Sequence, residues 1–384
     1  FIGVDAYDRL PEILAAAASA GGAGTLDGAV ILGEPAARRG AGFGGTDAKV
    51  RGTAGSAGRR LGLDAKAPGT AALARKRLGP DYTAFVKIAE GCDNRCTYCV
   101  IPDIRGPFRS RGMEDILEEC EGLAARGAKE IILIAQDLTA YGIDRYKEYL
   151  LPRLARQICG MDGIRWLRLM YCYEDRVTEE LIETMAAEEK ICHYIDLPLQ
   201  HASDRILSAM RRRSDKAGIL HTIGRLRAAM PDIHIRTTLI TGFPGETKAD
   251  FEELLEFAAS ARFERLGAFA YSREENTPAA AMEGQVRADV KRSRRDRLLR
   301  LQQGISLELN RAKIGREMEV LVEEREPDGS FSGRTRYDAP EIDNGVIFSA
   351  DGADLKPGEL VRVRINDAFD YDLAGEFIKS MEPQ

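Results

Sequence analysis

Between Phe85 and Tyr271 short apolar runs alternate with amphipathic stretches at intervals of about 30 to 40 residues, a repeat that restricts the fold more than any other feature of the chain. The runs Phe85–Ile88, Glu130–Ala135, Trp166–Met170, Tyr194–Leu197, His234–Ile240 and Leu266–Tyr271 read as strands. Between them, apolar residues fall three and four apart, as in Ile116, Leu117, Cys120 and Leu123, or Phe251, Leu254, Leu255 and Ala258, which is the spacing of one buried helix face. The repeat predicts an α/β fold, a partial (β/α)6 barrel. Folds of this kind carry their chemistry on the loops that follow the strands, so those loops hold the candidate residues.

The flanks have a different character. Residues 1–33 contain an amphipathic stretch, Arg9 to Ala18, and a possible strand, Ala29 to Leu32, with too few apolar positions to close a core, so they read as the end of a domain. Residues 34–76 are rich in Gly, Ala and Arg without periodicity and read as a linker. The first residue is Phe rather than Met, which suggests a fragment of a longer protein. Arg287 to Ile314 is a helical stretch with nine basic residues, read as a solvated face, with RNA contact as the alternative. From Gly315 the pattern shortens to the strands Met318–Val322, Phe331–Arg336, Gly345–Phe348 and Leu360–Ile365, separated by Gly, Pro and Asp turns, which predicts a small all-β barrel. The expected domains are thus 1–33, the linker 34–76, an α/β core over 77–312 and the terminal barrel over 313–379.

The formal net charge of -6 gives no global reason to expect DNA or a membrane surface as partner. There is no run of 18 apolar residues and no signal-peptide pattern at the start, so a cytoplasmic location is expected. Of the seven cysteines, three stand in the segment Gly91-Cys92-Asp-Asn-Arg-Cys96-Thr-Tyr98-Cys99, directly after the first strand of the repeat. Three thiolates on one short loop can bind three irons of a cubane and leave the fourth open to a small molecule. A structural zinc ion is the alternative, but it usually takes four ligands, and no His or fourth Cys lies nearby in sequence. Cys120, Cys159, Cys172 and Cys192 are scattered and read as small core residues.

With its C-x3-C-x2-C spacing and an aromatic before the last Cys, the segment resembles the radical-SAM superfamily over about residues 77–312. The resemblance implies a 4Fe-4S cluster on Cys92, Cys96 and Cys99 and S-adenosylmethionine on the open iron, split by one electron to a 5′-deoxyadenosyl radical. It also implies cofactor contacts from Tyr98, from Gln136 after the second strand, and from Arg236, Gly242 and Glu246 around the fifth; no catalytic residue is assigned. Glu90-Gly-Cys92, Ile101-Pro-Asp-Ile-Arg105-Gly106, Gln136-Asp137 with Tyr141-Gly142, and Gly242-Phe-Pro-Gly-Glu246-Thr247 are similar to the methylthiotransferases, and the terminal barrel then matches their TRAM domain. Arg334-Thr-Arg-Tyr337-Asp338-Ala-Pro-Glu341-Ile-Asp343 and Asp196-Leu-Pro-Leu-Gln-His201 resemble the branch that methylthiolates the β-carbon of an aspartate in the twelfth small-subunit ribosomal protein. The same resemblance implies a flavodoxin or ferredoxin as electron donor. A second cluster is also expected in the family, yet residues 1–91 contain no Cys, so the chain as given lacks ligands for it. A transfer-RNA adenosine methylthiotransferase and a non-catalytic TRAM-type binding protein are the alternatives.

Charge bears on that choice. Residues 313–384 hold nine Lys or Arg and seventeen Asp or Glu, a balance of -8, which suits a basic ribosomal protein better than phosphates. Asp338, Glu341 and Asp343 crowd one expected hairpin and are expected to dock that partner, outside the radical core.

Overall fold

The computed structural model describes the backbone of residues 24–26 and 29–31 and, in full, residues 79–350 and 352–381. The stretch Arg9 to Ala18 and the expected linker lie outside the described residues. Two units divide the chain, residues 1–74 and 75–384. In the first, β1 (Gly24–Leu26) and β2 (Ala29–Ile31) pair antiparallel.

In the second, six parallel strands form one sheet in strictly sequential order: β3 (Thr83–Lys87), β6 (Glu130–Ile134), β7 (Trp166–Leu169), β8 (Ile191–Gln200), β9 (His234–Thr241) and β10 (Arg265–Ala270). Two further short strands, β4 (Ala89–Glu90) and β5 (Arg109–Ser110), clasp the loop that follows β3. The helices are α1 (Ile101–Arg105), α2 (Met113–Ala124), α3 (Leu151–Cys159), α4 (Glu179–Ala187), α5 (Asp204–Ala209), α6 (Lys216–Ala229), α7 (Lys248–Ala261), α8 (Pro278–Ala281) and α9 (Ala288–Arg311). Apolar residues at helical spacing bury α2, α3, α4, α6 and α7 against one face of the sheet. There Ile131, Leu133, Leu167, Leu169, Ile195, Leu197, Ile235 and Leu239 meet Ile116, Leu154, Leu181, Ile223 and Leu254 in one continuous core. Period-two alternation sends the intervening residues to the opposite face. Cys120, Cys159, Cys172 and Cys192 are buried.

A closed barrel of five strands follows, in the order β11 (Glu317–Arg325), β12 (Phe331–Thr335), β13 (Val346–Ser349), β15 (Leu373–Ser380), β14 (Leu360–Ala368). Sequence reading misses β15, whose Gly375 and broken alternation weaken the strand signal. Gly375 is needed there because a Cβ would stand 2.5 Å from the Arg364 carbonyl oxygen of the paired strand.

The terminal barrel packs on the sheet face opposite the helices, at the N-terminal ends of the strands. Leu321, Ala339 and Leu360 join Ile132, Trp166, Cys192 and Tyr194 in an apolar patch. Beside it lies a layer of buried charge. Glu130 is fully buried and accepts from Arg168 Nε at 2.9 Å and from Arg334 of the barrel, which also donates from Nε to Glu323 at 2.8 Å. Burial pushes the Glu130 carboxyl up, but the two guanidinium groups more than offset this and hold it below the usual range.

This interface corrects the expectation for the acidic hairpin. Asp338 is buried on Arg265, and Asp343 is enclosed by Tyr194 and Arg236, so of the three acids only Glu341 is exposed. They look outward in sequence because nothing local announces the basic and phenolic partners supplied by three sheet strands. In helix α9, Arg294 pairs with buried Glu246, whereas Arg297 and Glu252 pair at the surface.

Candidate functional site

At the other end of the sheet, the loop after β3 carries Cys92, Cys96 and Cys99. Its path is fixed by backbone hydrogen bonds, Cys92 N to Gly106 O at 3.2 Å, Thr97 N to Met210 O at 3.1 Å and Ala279 N to Thr97 O at 2.9 Å. Gly91 starts the loop at φ +79°, and a Cβ there would stand 2.1 Å from the Pro107 carbonyl oxygen, so only glycine fits. The loop therefore rests on the segment that leads into β5 and on those that follow β8 and β10, at the C-terminal ends of the sheet strands.

The three thiols form no disulfide, and Cys92 and Cys96 are buried. Burial pushes the Cys92 and Cys99 thiols above their ordinary value, so holding them as thiolates calls for strong positive charge at the loop, which iron supplies. Their residue type and number suit a cluster bound through three sulfurs, although among the described residues no three His, Cys, Asp or Glu side chains converge as a metal site.

A polar brace stands behind the loop. Asn94 donates from Nδ2 to Asp137 at 2.7 Å and approaches the Cys92 sulfur at 3.5 Å. Asp137 is buried and also accepts from Thr139 Oγ1 at 2.8 Å, from Ala140 N at 3.2 Å and from Arg176, whose Nη2 reaches Asn94 Oδ1 at 3.2 Å. Sequence reading gives Asn94 no role of its own and does not find Arg176, which lies far along the chain. A polar residue between ligating cysteines was the available signal.

Of the other expected contacts, Gln136 lies just past the end of β6, and its Oε1 is buried with no hydrogen-bond donor among the described residues. An orphaned acceptor beside the thiol loop fits a donor group on a bound ligand. Tyr98 packs against Ile206, Met210, Phe243 and Tyr271, and burial next to Cys96 holds its phenol well above the usual range.

The residues around β9 depart from expectation. Arg236 is the third residue of the strand rather than its end, and its Nη1 donates to Asp196 at 2.9 Å. Gly242 has φ +72°, and the group it makes room for is Lys291 of α9, whose Cγ would stand 2.3 Å from a Cβ. Glu246 is buried, with Gly242 N donating to one oxygen at 2.6 Å and Arg294 to the other at 2.6 Å. Its carboxylate braces the loop, closing a turn whose donors come from the backbone and from α9. His201 stands 3.5 Å from the same carboxylate and accepts from Ser203 N at 2.9 Å, a structural role.

Tyr171, just past β7, also escapes sequence reading. It has φ +62°, a conformation costly for a residue with a bulky side chain, and its ring is exposed. Asp196 holds it there by accepting from Tyr171 N at 3.1 Å. Phe85 and Phe269, on the edge strands, are exposed as well. The arrangement is a face rimmed by aromatics, with three thiols at one end and a partly exposed arginine within it.

Comparison with known proteins agrees with this geometry. Residues 86–258 match the radical SAM superfamily and residues 314–378 the TRAM domain. The ribosomal protein uS12 methylthiotransferase RimO of Desulfitobacterium hafniense is 51% identical over 303 residues, covering 78% of this chain and 67% of that protein. The protein of the same name from Pelotomaculum thermopropionicum is 52% identical over 301 residues, covering 78% of this chain and 68% of the other. Among solved structures, the radical S-adenosylmethionine methyltransferase TsrM of Kitasatospora setae is 16% identical with a TM-score of 0.44, covering 61% of this chain and 40% of that one. Among the described residues, no helix is long and apolar enough to cross a membrane.

Proposed function

The chain belongs to the ribosomal protein uS12 methylthiotransferase RimO family, and from that premise we propose that it supplies the radical-generating core for methylthiolation of the β-carbon of an aspartate in uS12, the second cluster that would handle the sulfur having no cysteine ligands in residues 1–91. It is a radical S-adenosylmethionine enzyme with a 4Fe-4S cluster, and the chain spans about two thirds of the length of these relatives. When bound, the cluster supplies one electron, and S-adenosylmethionine supplies the hydrogen-abstracting radical and the methyl group.

The observation that carries this reading is the thiol loop, held by backbone bonds over the strand ends. Cys92, Cys96 and Cys99 would hold the iron, and the Asn94, Asp137 and Arg176 brace would fix the loop and place an N–H near one sulfur. Gln136 would accept from the ammonium of S-adenosylmethionine, Arg236 would face its carboxylate, and Tyr98 and Gly242 would shape the wall around it. The basic partner would meet the β14 to β15 hairpin, where Asp367, Asp372 and Glu376 stand exposed with Phe369 and Tyr371. A cytoplasmic location and a flavodoxin or ferredoxin as electron donor accord with this reading.

Anaerobic reconstitution tests the core of it. About four irons per chain are expected, and changing Cys92, Cys96 or Cys99 to Ala should abolish both the iron and the cleavage of S-adenosylmethionine. Cleavage that survives the loss of a cysteine would overturn the reading. Binding of uS12 and of transfer RNA, compared at physiological salt, tests the substrate: uS12 should bind more tightly, and a preference for transfer RNA would overturn the assignment.

A further inference from the structure

We propose that Asp343, a residue of the terminal barrel, positions Arg236 within the sheet face that carries the chemistry, so that the barrel completes the reaction site. The inference rests on the reading of Arg236 as a contact to S-adenosylmethionine.

The connection between β12 and β13, residues 336–345, is inserted against the N-terminal ends of three sheet strands. Arg336 donates to the Glu189 carbonyl at 2.5 Å and the Ile191 carbonyl at 2.9 Å. Tyr337 donates to Asp232 at 2.7 Å and stacks on His234 with ring centres 4.4 Å apart. Asp338 is held by Arg265. With its start anchored in this way, the connection carries Asp343 inward.

The two oxygens of Asp343 have separate tasks. Oδ2 accepts from Tyr194 Oη at 2.7 Å and from Ala339 N at 2.9 Å, which fixes the carboxylate, and Oδ1 faces Arg236 Nε at 3.4 Å. Arg236 Nη1 in turn donates to Asp196, whose other oxygen holds the strained Tyr171. The guanidinium is thus restrained on its Nε and Nη1 sides by carboxylates from two different domains. Its Nη2 edge has no partner among the described residues, and the side chain keeps 19% exposure. Neighbouring Thr237 and Leu239 point to the helices, so Arg236 and Thr238 lie on the opposite face, the one that the thiol loop overhangs.

Charge and positioning predict opposite signs. Two carboxylates more than balance one guanidinium, so if Asp343 acted only through its charge, neutralising it would tighten binding of a ligand carboxylate. If it acts by orienting Arg236, the same change releases the guanidinium and weakens binding, by about tenfold for the loss of one charged restraint. The second outcome is expected.

The experiment is equilibrium dialysis of S-adenosylmethionine against the anaerobically reconstituted full chain, with iron content and Tm measured on each sample. Asp343→Asn should bind about tenfold more weakly at normal iron content, while Tyr337→Phe, which loosens the same connection at Asp232 and keeps both carboxylates on Arg236, should lower Tm and leave affinity unchanged. Tyr194→Phe, which removes one restraint on the carboxylate, should weaken binding about threefold and keeps the test open if Asp343→Asn fails to fold. Unchanged or tighter binding in Asp343→Asn, or equal losses in Asp343→Asn and Tyr337→Phe, would overturn the proposal. Arg236→Ala separates it from its premise: unchanged affinity in that variant means that Arg236 does not contact the cofactor, whereas weakened affinity there with none in Asp343→Asn removes the positioning role alone.

Discussion

The two ends of the parallel sheet are finished in opposite ways. At the C-terminal ends of the strands the chain keeps reactive groups open to a ligand, three thiols joined in no disulfide and the unpartnered Gln136 carbonyl among the described residues, and fixes their places with backbone bonds. At the N-terminal ends it buries carboxylates and guanidinium groups against each other, with the terminal barrel supplying Arg334 and Asp338. One end keeps bonding capacity for ligands, while the other uses it to join two domains. Charge in the sequence therefore says little about surface until its partner is known, because the same residue types serve both ends.

The sharpest way to break this contrast is to remove a charge at the sealed end. Arg334→Ala takes one of two guanidinium partners from fully buried Glu130, leaving Arg168 and the Thr83 hydroxyl, and the expected loss is about 3 kcal/mol of stability, because charge-assisted hydrogen bonds to a buried carboxylate are lost. Urea denaturation of the apo chain measures it. A loss below about 1 kcal/mol would mean that water reaches Glu130 and that the seal is looser than it looks.

Acid should open the same end more gently. Burial pushes the Asp338 carboxyl up, but Arg265 and Lys313 outweigh it and bring the group from 3.8 down to about 2. A carboxyl whose folded value lies below its unfolded one gives stability that is complete above the unfolded value and is lost as pH falls through the folded value. The contribution, on the order of 2 kcal/mol, should thus fade between about pH 4 and about pH 2, and Asp338→Asn should flatten that limb of the stability profile. Glu130, also held below its usual range, adds to the same limb and should survive the Asp338 change. Urea midpoints compared at about pH 5 and about pH 3 check this, and an unchanged acid slope in Asp338→Asn would count against it.

The smallest effect is expected at the open end. Thr247 and Asp250 form a capping box on α7, directly after the Gly242 to Glu246 loop, with Asp250 N donating to Thr247 Oγ1 at 3.2 Å and Thr247 N to Asp250 at 2.8 Å. Thr247→Ala should cost about 1 kcal/mol and leave iron binding intact, because the cap supports the helix and not the thiol loop. Iron loss in this variant would show that the two supports are coupled.

Much of the fold is legible from local pattern. The six parallel strands and α9 follow from apolar spacing, with ends shifted by a few residues, as where β8 runs on through Pro198 across an irregular register. β15 is not legible, since its pairing with β13 and β14 compensates for a weak strand sequence. In the site, the cysteine loop announces itself because its ligands are close neighbours in sequence. Asp338 reads as surface because its partner, Arg265, lies 73 residues away, and the Arg294 that braces Glu246 lies 48 residues from it, equally out of local view.

What the sequence by itself determined is therefore what depends on neighbours along the chain: strand and helix periods, and three thiols spaced for one cluster. Tertiary structure alone decided which charges face solvent and which face each other. That choice depends on desolvation and on partners brought together from separate strands and from the terminal barrel, and neither leaves a local mark. Asp343 shows the difference most directly, since in sequence it is one acid in an acidic tail, whereas in the fold it is 2% exposed and set against Arg236.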